Sequence, residues 1–105
     1  MKYQVKLDIR TLAKVLYLYY QNFGNLPSEN DGLSTLTNEK VDLMKNMPID
    51  PWGLEYGYRK LEGKRASFIL WSKGSINQNE NPILFLYRRS NDNFQGFEIN
   101  EIEGL

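Results

Sequence analysis

Carboxylates, lysines and tyrosines are the side chains in this sequence that could do chemistry. The chain of 105 residues has no histidine and no cysteine, so it lacks the usual acid–base residue near neutral pH and any thiol nucleophile or ligand. Catalytic triads, thiol catalysis, redox pairs and zinc sites are therefore excluded. Glu101 and Glu103 would share a face if the last strand continues, but they fit better as part of a solvated tail. No pair with a plausible acid–base role occurs among the five glutamates Glu55, Glu62, Glu98, Glu101 and Glu103. The sequence does not predict an enzyme.

The charged residues do not indicate a nucleic-acid or membrane-surface partner. Thirteen lysines and arginines balance thirteen aspartates and glutamates, and the basic residues are scattered instead of forming one stripe. Arg88 and Arg89 could dock an acidic partner, but adjacent strand residues face opposite sides, so at most one joins a given surface. With 41% hydrophobic and 25% charged residues, the composition is that of one soluble globular domain.

Aromatic residues cluster near the end of the first predicted helix. Tyr17, Tyr19, Tyr20 and Phe23 could form a platform that stacks on sugars or bases. At helical spacing they fit better as the core and rim of a seam between a helix and a sheet. The two tryptophans, Trp52 and Trp71, are interpreted as structural, the first covering a turn and the second buried in a central strand.

A long amphipathic helix is predicted over residues 3–23. Gly24 suits a left-handed residue after the helix, and Pro27 prevents the helix from resuming. No capping residue precedes Tyr3, so we expect the natural helix to begin upstream of Lys2. Six apolar residues recur at steps of three and four and define the buried face: Val5, Ile9, Leu12, Leu16, Tyr19 and Phe23.

The pattern changes from helix to sheet at residues 48–58. In Asp50-Pro51-Trp52-Gly53 the aspartate can accept a hydrogen bond from the backbone two residues on. Proline presets φ for the second turn position, and glycine suits the fourth, so a type I turn is predicted. Apolar residues then alternate with Glu55 and Gly57, which is the period of a strand with one covered face.

The remaining elements predict an α+β fold. Short helical segments are expected at 32–37 and 39–46, and strands at 55–61, 66–72, 83–89 and 95–100, with turns or loops at 62–64, 74–82 and 90–93. The prediction is a long N-terminal helix packed on a three- to four-stranded antiparallel sheet, with a loop of short helical turns between them. The single domain then divides into a helix (1–24), a loop and turn (25–53) and a sheet (54–105).

The spacing of these signals resembles a known family. A proline, a Gly-Leu pair, the turn and two tyrosines follow in fixed order, and Ser72-x-Gly74 comes later. The pattern resembles the major pseudopilin of bacterial type II secretion, protein G, between about Asp8 and Gly74. The family motif comprises Pro27, Gly32, Leu33, Pro48, Asp50, Pro51, Trp52, Gly53, Tyr56 and Tyr58.

The resemblance implies a type IV pilin-like fold and a role in protein export. It implies a longer N-terminal helix whose first half anchors the protein in the inner membrane, a leader removed by a dedicated peptidase, and assembly with other pseudopilin subunits and secretion components into a periplasmic filament. No run of about 18 to 20 apolar residues occurs in this sequence, so we expect the chain as given to be soluble. The alternative is a minor or free-standing pilin-like domain that binds a secreted protein or peptide through a sheet edge or polar loop.

The sequence departs from the family at its calcium site. The resemblance implies acidic residues after the Ser-x-Gly element and near the end of the chain, whereas residues 75–77 read Ser-Ile-Asn and residues 96–99 read Gly-Phe-Glu-Ile. Calcium takes about six to eight oxygen ligands, and the Ile76 side chain offers none. We therefore expect no metal or cofactor, and we expect the apolar run 83–87 to order the sheet instead. Polar residues that could rebuild a calcium site in another register are Asn77, Asn79, Glu80 and Asn81.

Thermal unfolding tests the expected loss of calcium binding. We expect the midpoint to be the same in excess calcium and in chelator, because an ion that does not bind the folded state cannot stabilise it. A difference of many degrees between the two conditions would show that a site is present.

Overall fold

One long helix lies against a four-stranded antiparallel sheet in the computed structural model, which describes residues 2–61, 63, 66–74, 83–90 and 93–99. The strands follow one another in the sheet in the order β1-β2-β3-β4, each antiparallel to its neighbour. The predicted α+β architecture is confirmed. The elements are α1 (Lys2–Phe23), a 3₁₀ helix (Gly32–Thr37), β1 (Tyr56–Leu61), β2 (Ser67–Ser72), β3 (Leu84–Ser90) and β4 (Asn93–Ile99).

The end of α1 has the predicted chemistry. Gly24 has φ of 75°, and its N–H donates to the carbonyl of Tyr20 at 2.8 Å. Glycine adopts this left-handed conformation without a steric penalty, and the bond satisfies one of the last helical carbonyls. The chain then turns at Asn25, whose side chain accepts from the N–H of Leu26, and Pro27 is buried.

The second short helix, predicted at 39–46, does not form. That segment consists of turns and bends, and Asp42 has φ of 52°. Asn38 explains the difference, because its carbonyl accepts from the N–H groups of Val41 and Asp42 and its side chain accepts from the N–H of Lys40. Local hydrogen bonds to an asparagine compete with the hydrogen bonds of an α-helix and favour a turn. The first short segment, Gly32–Thr37, is a 3₁₀ helix.

The strands differ from the prediction by one or two residues at several ends. Glu55 forms an isolated bridge with Ile49 and precedes β1. The β4 strand begins at Asn93, two residues before the predicted start, because Ser90 pairs directly with Asn93. Several predicted features lie outside the described residues, namely positions 62, 64, 75–82, 91–92, 100, 101 and 103.

The main core lies between α1 and one face of the sheet. The predicted apolar face of α1 is buried from Val5 to Leu16, and Phe68 and Leu70 of β2 are fully buried against the same core. Phe23 is an exception, since it is 53% exposed and contacts the ring of Tyr19, with centroids 4.6 Å apart.

Phe94 joins the helix to the sheet through aromatic contacts. Tyr17 and Tyr20 meet its ring edge-on, with centroids 6.0 and 5.7 Å apart. Phe68 also meets Phe94 at 5.2 Å and stacks on Tyr87 at 5.3 Å. These tyrosines therefore belong to the seam between helix and sheet, as predicted, and not to a ligand platform.

A second apolar cluster lies on the sheet face away from α1. Ile69, Trp71 and Leu84 are buried there, with Leu61, Leu86 and Ile99 packed around them. Trp71 lies across its partner in β1, Gly57. A β-carbon at Gly57 would lie 2.0 Å from Cε2 of the Trp71 indole, so only glycine leaves room for the ring.

Substituting Gly57 should therefore destabilise the sheet through Trp71. We expect Gly57→Ala to cost about 1 to 3 kcal/mol in the free energy of unfolding, which is typical of overpacking. In a Trp71→Leu background the same change should cost clearly less, because the clash is removed. Urea unfolding of the four proteins measures this; an equal cost in both backgrounds would contradict the packing explanation.

Candidate functional site

The carboxylate of Asp50 lies at the centre of the family motif found in the sequence. Its Oδ1 accepts from the N–H groups of Trp52 at 3.0 Å and Leu54 at 2.8 Å. Its Oδ2 accepts from Ser72 Oγ at 2.8 Å and from the N–H of Gly74 at 2.7 Å. One side chain thus closes the turn before β1 and fixes the end of β2.

The turn itself has the predicted form. The N–H of Gly53 donates to the carbonyl of Asp50 at 2.9 Å, which closes a four-residue β-turn. The side chain of Asp50 accepts from the backbone two residues on, as predicted. Its own N–H donates to the carbonyl of Leu54 at 2.8 Å, and Gly53 has φ of 84°. Residues 50–54 are therefore held by both backbone and side-chain bonds.

Hydrogen bonds stabilise the charge on Asp50 within the described part of the chain. Only 3% of the residue is exposed, and burial by itself would raise the pKa of its carboxyl group. The hydrogen bonds from Leu54, Gly74, Ser72 and Trp52 outweigh burial and lower the pKa below its ordinary value. The group is consequently an ionised structural acceptor at neutral pH.

Gly74 and Trp52 pack too closely for any other residue at position 74. A β-carbon there would lie 2.5 Å from Cβ of Trp52 and 2.8 Å from Oδ2 of Asp50. The Ser72-x-Gly74 spacing therefore supplies one hydroxyl donor, one N–H donor and the space for an indole. Sequence reasoning did not predict this link to Asp50, and the short motif itself was its only signal.

Two tyrosines of the motif tie β1 to the rest of the chain. Tyr56 Oη donates to Oδ2 of Asp8 in α1 at 2.6 Å, while Oδ1 of Asp8 accepts from Gln4. Tyr58 Oη donates to the carbonyl of Pro27 at 2.7 Å. Burial, and then the hydrogen bond and negative charge of Asp8, raise the pKa of Tyr56 well above its ordinary value, so it stays a donor. The role of Asp8 was not predicted.

The earlier part of the motif lies beside the same strand. Gly32 has φ of 58°, and its N–H donates to the carbonyl of Ser28 at 2.7 Å. Leu33 is buried. Both residues line a groove of about 490 Å³ together with Tyr56 and Tyr58. Pro48 is half-buried just before the Ile49 bridge and is not part of this groove.

The pKa shifts at these contacts differ from those expected of an acid–base site. A general acid or base works best with a pKa near the operating pH. In the described part of the chain, hydrogen bonds lower the pKa of Asp50. Burial is the main cause that raises the pKa values of Tyr56, Tyr58 and Tyr87. These pKa values therefore move away from neutrality.

The described segments also contain no cluster of three or more acidic side chains that could hold a metal ion. The positions considered for calcium, 75–81, fall outside those segments. Within the same segments, no helix is both long and apolar enough to cross a membrane.

An amphipathic helix packed on a small antiparallel sheet and bonded to it through Asp8 and Tyr56 is the architecture of a pilin-like domain. The family model described as type II secretion system (T2SS), protein G, matches residues 1–82, and the chain belongs to this family. The resemblance seen in the sequence is thereby confirmed.

The chain is also similar to type II secretion system core protein G of Pseudomonas aeruginosa strain PAO1. The two are 31% identical over 81 residues, which cover 67% of this chain. The match spans 56% of the length of that relative. No solved structure matches the chain.

Replacing the central carboxylate should destabilise the domain. We expect Asp50→Asn to cost about 2 to 4 kcal/mol in the free energy of unfolding, because an amide has one acceptor oxygen and turns N–H donors toward other donors. The exposed Glu39→Gln change is the control and should be nearly neutral.

The cost should also depend on pH. Because folding lowers the pKa of Asp50, its ionisation stabilises the folded state above the unfolded pKa, about 4. That contribution is lost as the pH falls through the folded-state pKa. Denaturant unfolding across acidic and neutral pH should show a gap between wild type and Asp50→Asn that is widest at neutral pH; a gap that is constant or grows in acid would contradict this account.

Proposed function

We propose that this protein is a structural subunit of a type II secretion pseudopilus, which assembles with other pseudopilin subunits into a periplasmic filament for protein export. The observation that carries the proposal is the match to the protein G family over residues 1–82. Since the match to the Pseudomonas aeruginosa relative spans only 56% of that protein, the activity and partners of the whole protein are part of the proposal. According to this proposal, α1 continues an upstream segment that anchors the protein in the inner membrane.

The geometry of the motif suits a subunit that carries mechanical load. A filament subunit must transmit force between its helix and its globular part. Here β1 is bonded to the first third of α1 through Tyr56 and Asp8, and to the chain just beyond α1 through Tyr58 and Pro27. The helix is thus attached near both ends, which favours its moving with the sheet as one body.

Hydrogen bonds to Asp50 hold the end of β2 in the proposed subunit. Ser72 and Gly74 lie at the start of the loop in which the family holds calcium, and here both donate to Asp50. These two bonds hold the first residues of that loop against the turn at Asp50.

A second candidate is a minor pilin-like domain that binds a secreted protein or peptide. The observation that favours it is β4, which lies at the edge of the sheet and carries Phe97 with 52% of its surface exposed. Sheet edges pair readily with an added strand. The abundance of the protein distinguishes the two candidates, because a filament subunit is needed in many copies.

Gene deletion tests the proposed function. In the organism that encodes the protein, we expect deletion to abolish export of type II secretion substrates to the medium and the full-length gene to restore it. Full-length Glu39→Gln should restore export equally, while Asp50→Asn should restore less because less folded subunit accumulates. Normal export in the deletion strain, with no related gene compensating, would refute the proposal.

A further inference from the structure

The face of α1 that points away from the sheet combines apolar and basic side chains. Tyr3, Leu7, Arg10, Lys14 and Leu18 follow one another at steps of four, three, four and four, which places them along one face of the helix. Tyr3 is 75% exposed, Leu7 37% and Leu18 44%, and Arg10 and Lys14 are also exposed. Single exposed apolar residues are common, but here three share one face with two cations.

No carboxylate neutralises these two cations within the described part of the chain. Its recorded ion pairs join Lys6 to Glu98 at 3.9 Å and Arg59 to Glu29 at 3.8 Å. Asp8 is the one acidic residue of α1, and its carboxylate accepts from Tyr56 and Gln4. The exposed face of α1 is therefore basic as well as partly apolar.

An acidic surface lies elsewhere on the same molecule. The groove of about 490 Å³ between residues 29–37 and the start of β1 is lined by three carboxylates, Glu29, Asp31 and Glu55, and by one lysine, Lys73. Since Glu29 is paired with Arg59, Asp31 and Glu55 are the two carboxylates offered to a partner. All three carboxylates belong to exposed residues. Its walls also include apolar atoms of Leu33 and Met47, so the groove matches the helix face in both charge and apolar character.

We propose that the exposed face of α1 packs against this groove of a second copy of the chain, with Arg10 and Lys14 beside Asp31 and Glu55. The face points away from the sheet, so it cannot reach the groove of its own molecule. The chain has no net charge, with thirteen residues of each sign, but the exposed face of α1 carries two cations and the groove carries three carboxylates. Local complementarity of this kind selects and orients a partner.

The contact is heterologous, because two different surfaces meet. A heterologous contact leaves one surface free on each end of a pair, so it builds open helical arrays unless the rotation closes a ring. This inference rests on the proposed filament role and specifies which surfaces of the subunits meet and the sign of charge on each.

Cysteine cross-linking tests the contact directly, because the chain has no cysteine of its own. Lys14→Cys and Asp31→Cys proteins, mixed and oxidised, should form a disulfide-linked heterodimer. Lys45→Cys mixed with Asp31→Cys is the matched control, since Lys45 is an exposed lysine of the loop outside both surfaces. We expect roughly tenfold more heterodimer in the test pair than in the control, because docking raises the effective concentration of the two thiols, and less of it at high salt.

Charge exchange gives a second and independent measurement. Lys14→Glu and Asp31→Lys should each weaken self-association by roughly tenfold in sedimentation equilibrium, and the double variant should recover much of the loss. Folding is checked for every variant by circular dichroism, because Asp31→Lys also removes the hydrogen bond that Asp31 accepts from Ser28 Oγ. Recovery in the double variant is expected only if the two residues face each other.

Several outcomes would overturn the inference. Cross-linking no greater than in the control would do so, as would a double variant no better than the single ones. Lys14→Cys homodimers in place of heterodimers would show that α1 packs against α1 instead. If the full-length protein restores export while these tests fail, the inference is wrong and the proposed function stands; if deletion leaves export normal, it is the proposed function that fails.

Discussion

The buried carboxylate of Asp50 is the interaction on which the rest of the structure depends. It accepts four hydrogen bonds, two from its own turn and two from the end of β2. A buried charge without a cation is unfavourable unless such bonds replace its hydration. Because the carboxylate needs donors from both segments, residues 50–54 are held against residues 72–74. This contact sets where β1 begins relative to β2.

Two glycines also fix the register of the sheet, because each leaves room for an aromatic ring of the neighbouring strand. Gly57 receives the indole of Trp71, and Gly96 receives the ring of Tyr87, where a β-carbon would lie 2.6 Å from Cε1. Each aromatic ring lies over its direct partner in the neighbouring strand. A shift by one residue would move every side chain to the other face and put a larger residue beneath each ring.

Together these constraints leave one face of α1 unused. The apolar face is occupied by the sheet, and Asp8 is engaged with Tyr56. The row from Tyr3 to Leu18, with its two cations, is among the exposed parts of α1. In a subunit that assembles into a filament, such a face is a natural contact surface, and the acidic groove beside β1 is of opposite charge.

The sequence by itself determined the class of fold, the C-terminal end of α1 and the position of the turn. These features depend on local rules: the 3.6-residue period, the left-handed glycine after the helix, and the Asp-Pro-Trp-Gly turn. It also carried the family motif, because the spacing of that motif can be read along the chain. The segment 39–46 was predicted wrongly, since the local bonds of Asn38 competed with a weak helical pattern.

Only the tertiary structure decided what the motif residues do. It brought Asp50 to Ser72 and Gly74, which lie 22 and 24 positions later, and Asp8 to Tyr56, which lies 48 positions later. Nothing in a local pattern specifies such partners, because they depend on how the helix, turn and sheet pack. The groove likewise exists only in the folded chain, where residues far apart in sequence line one surface.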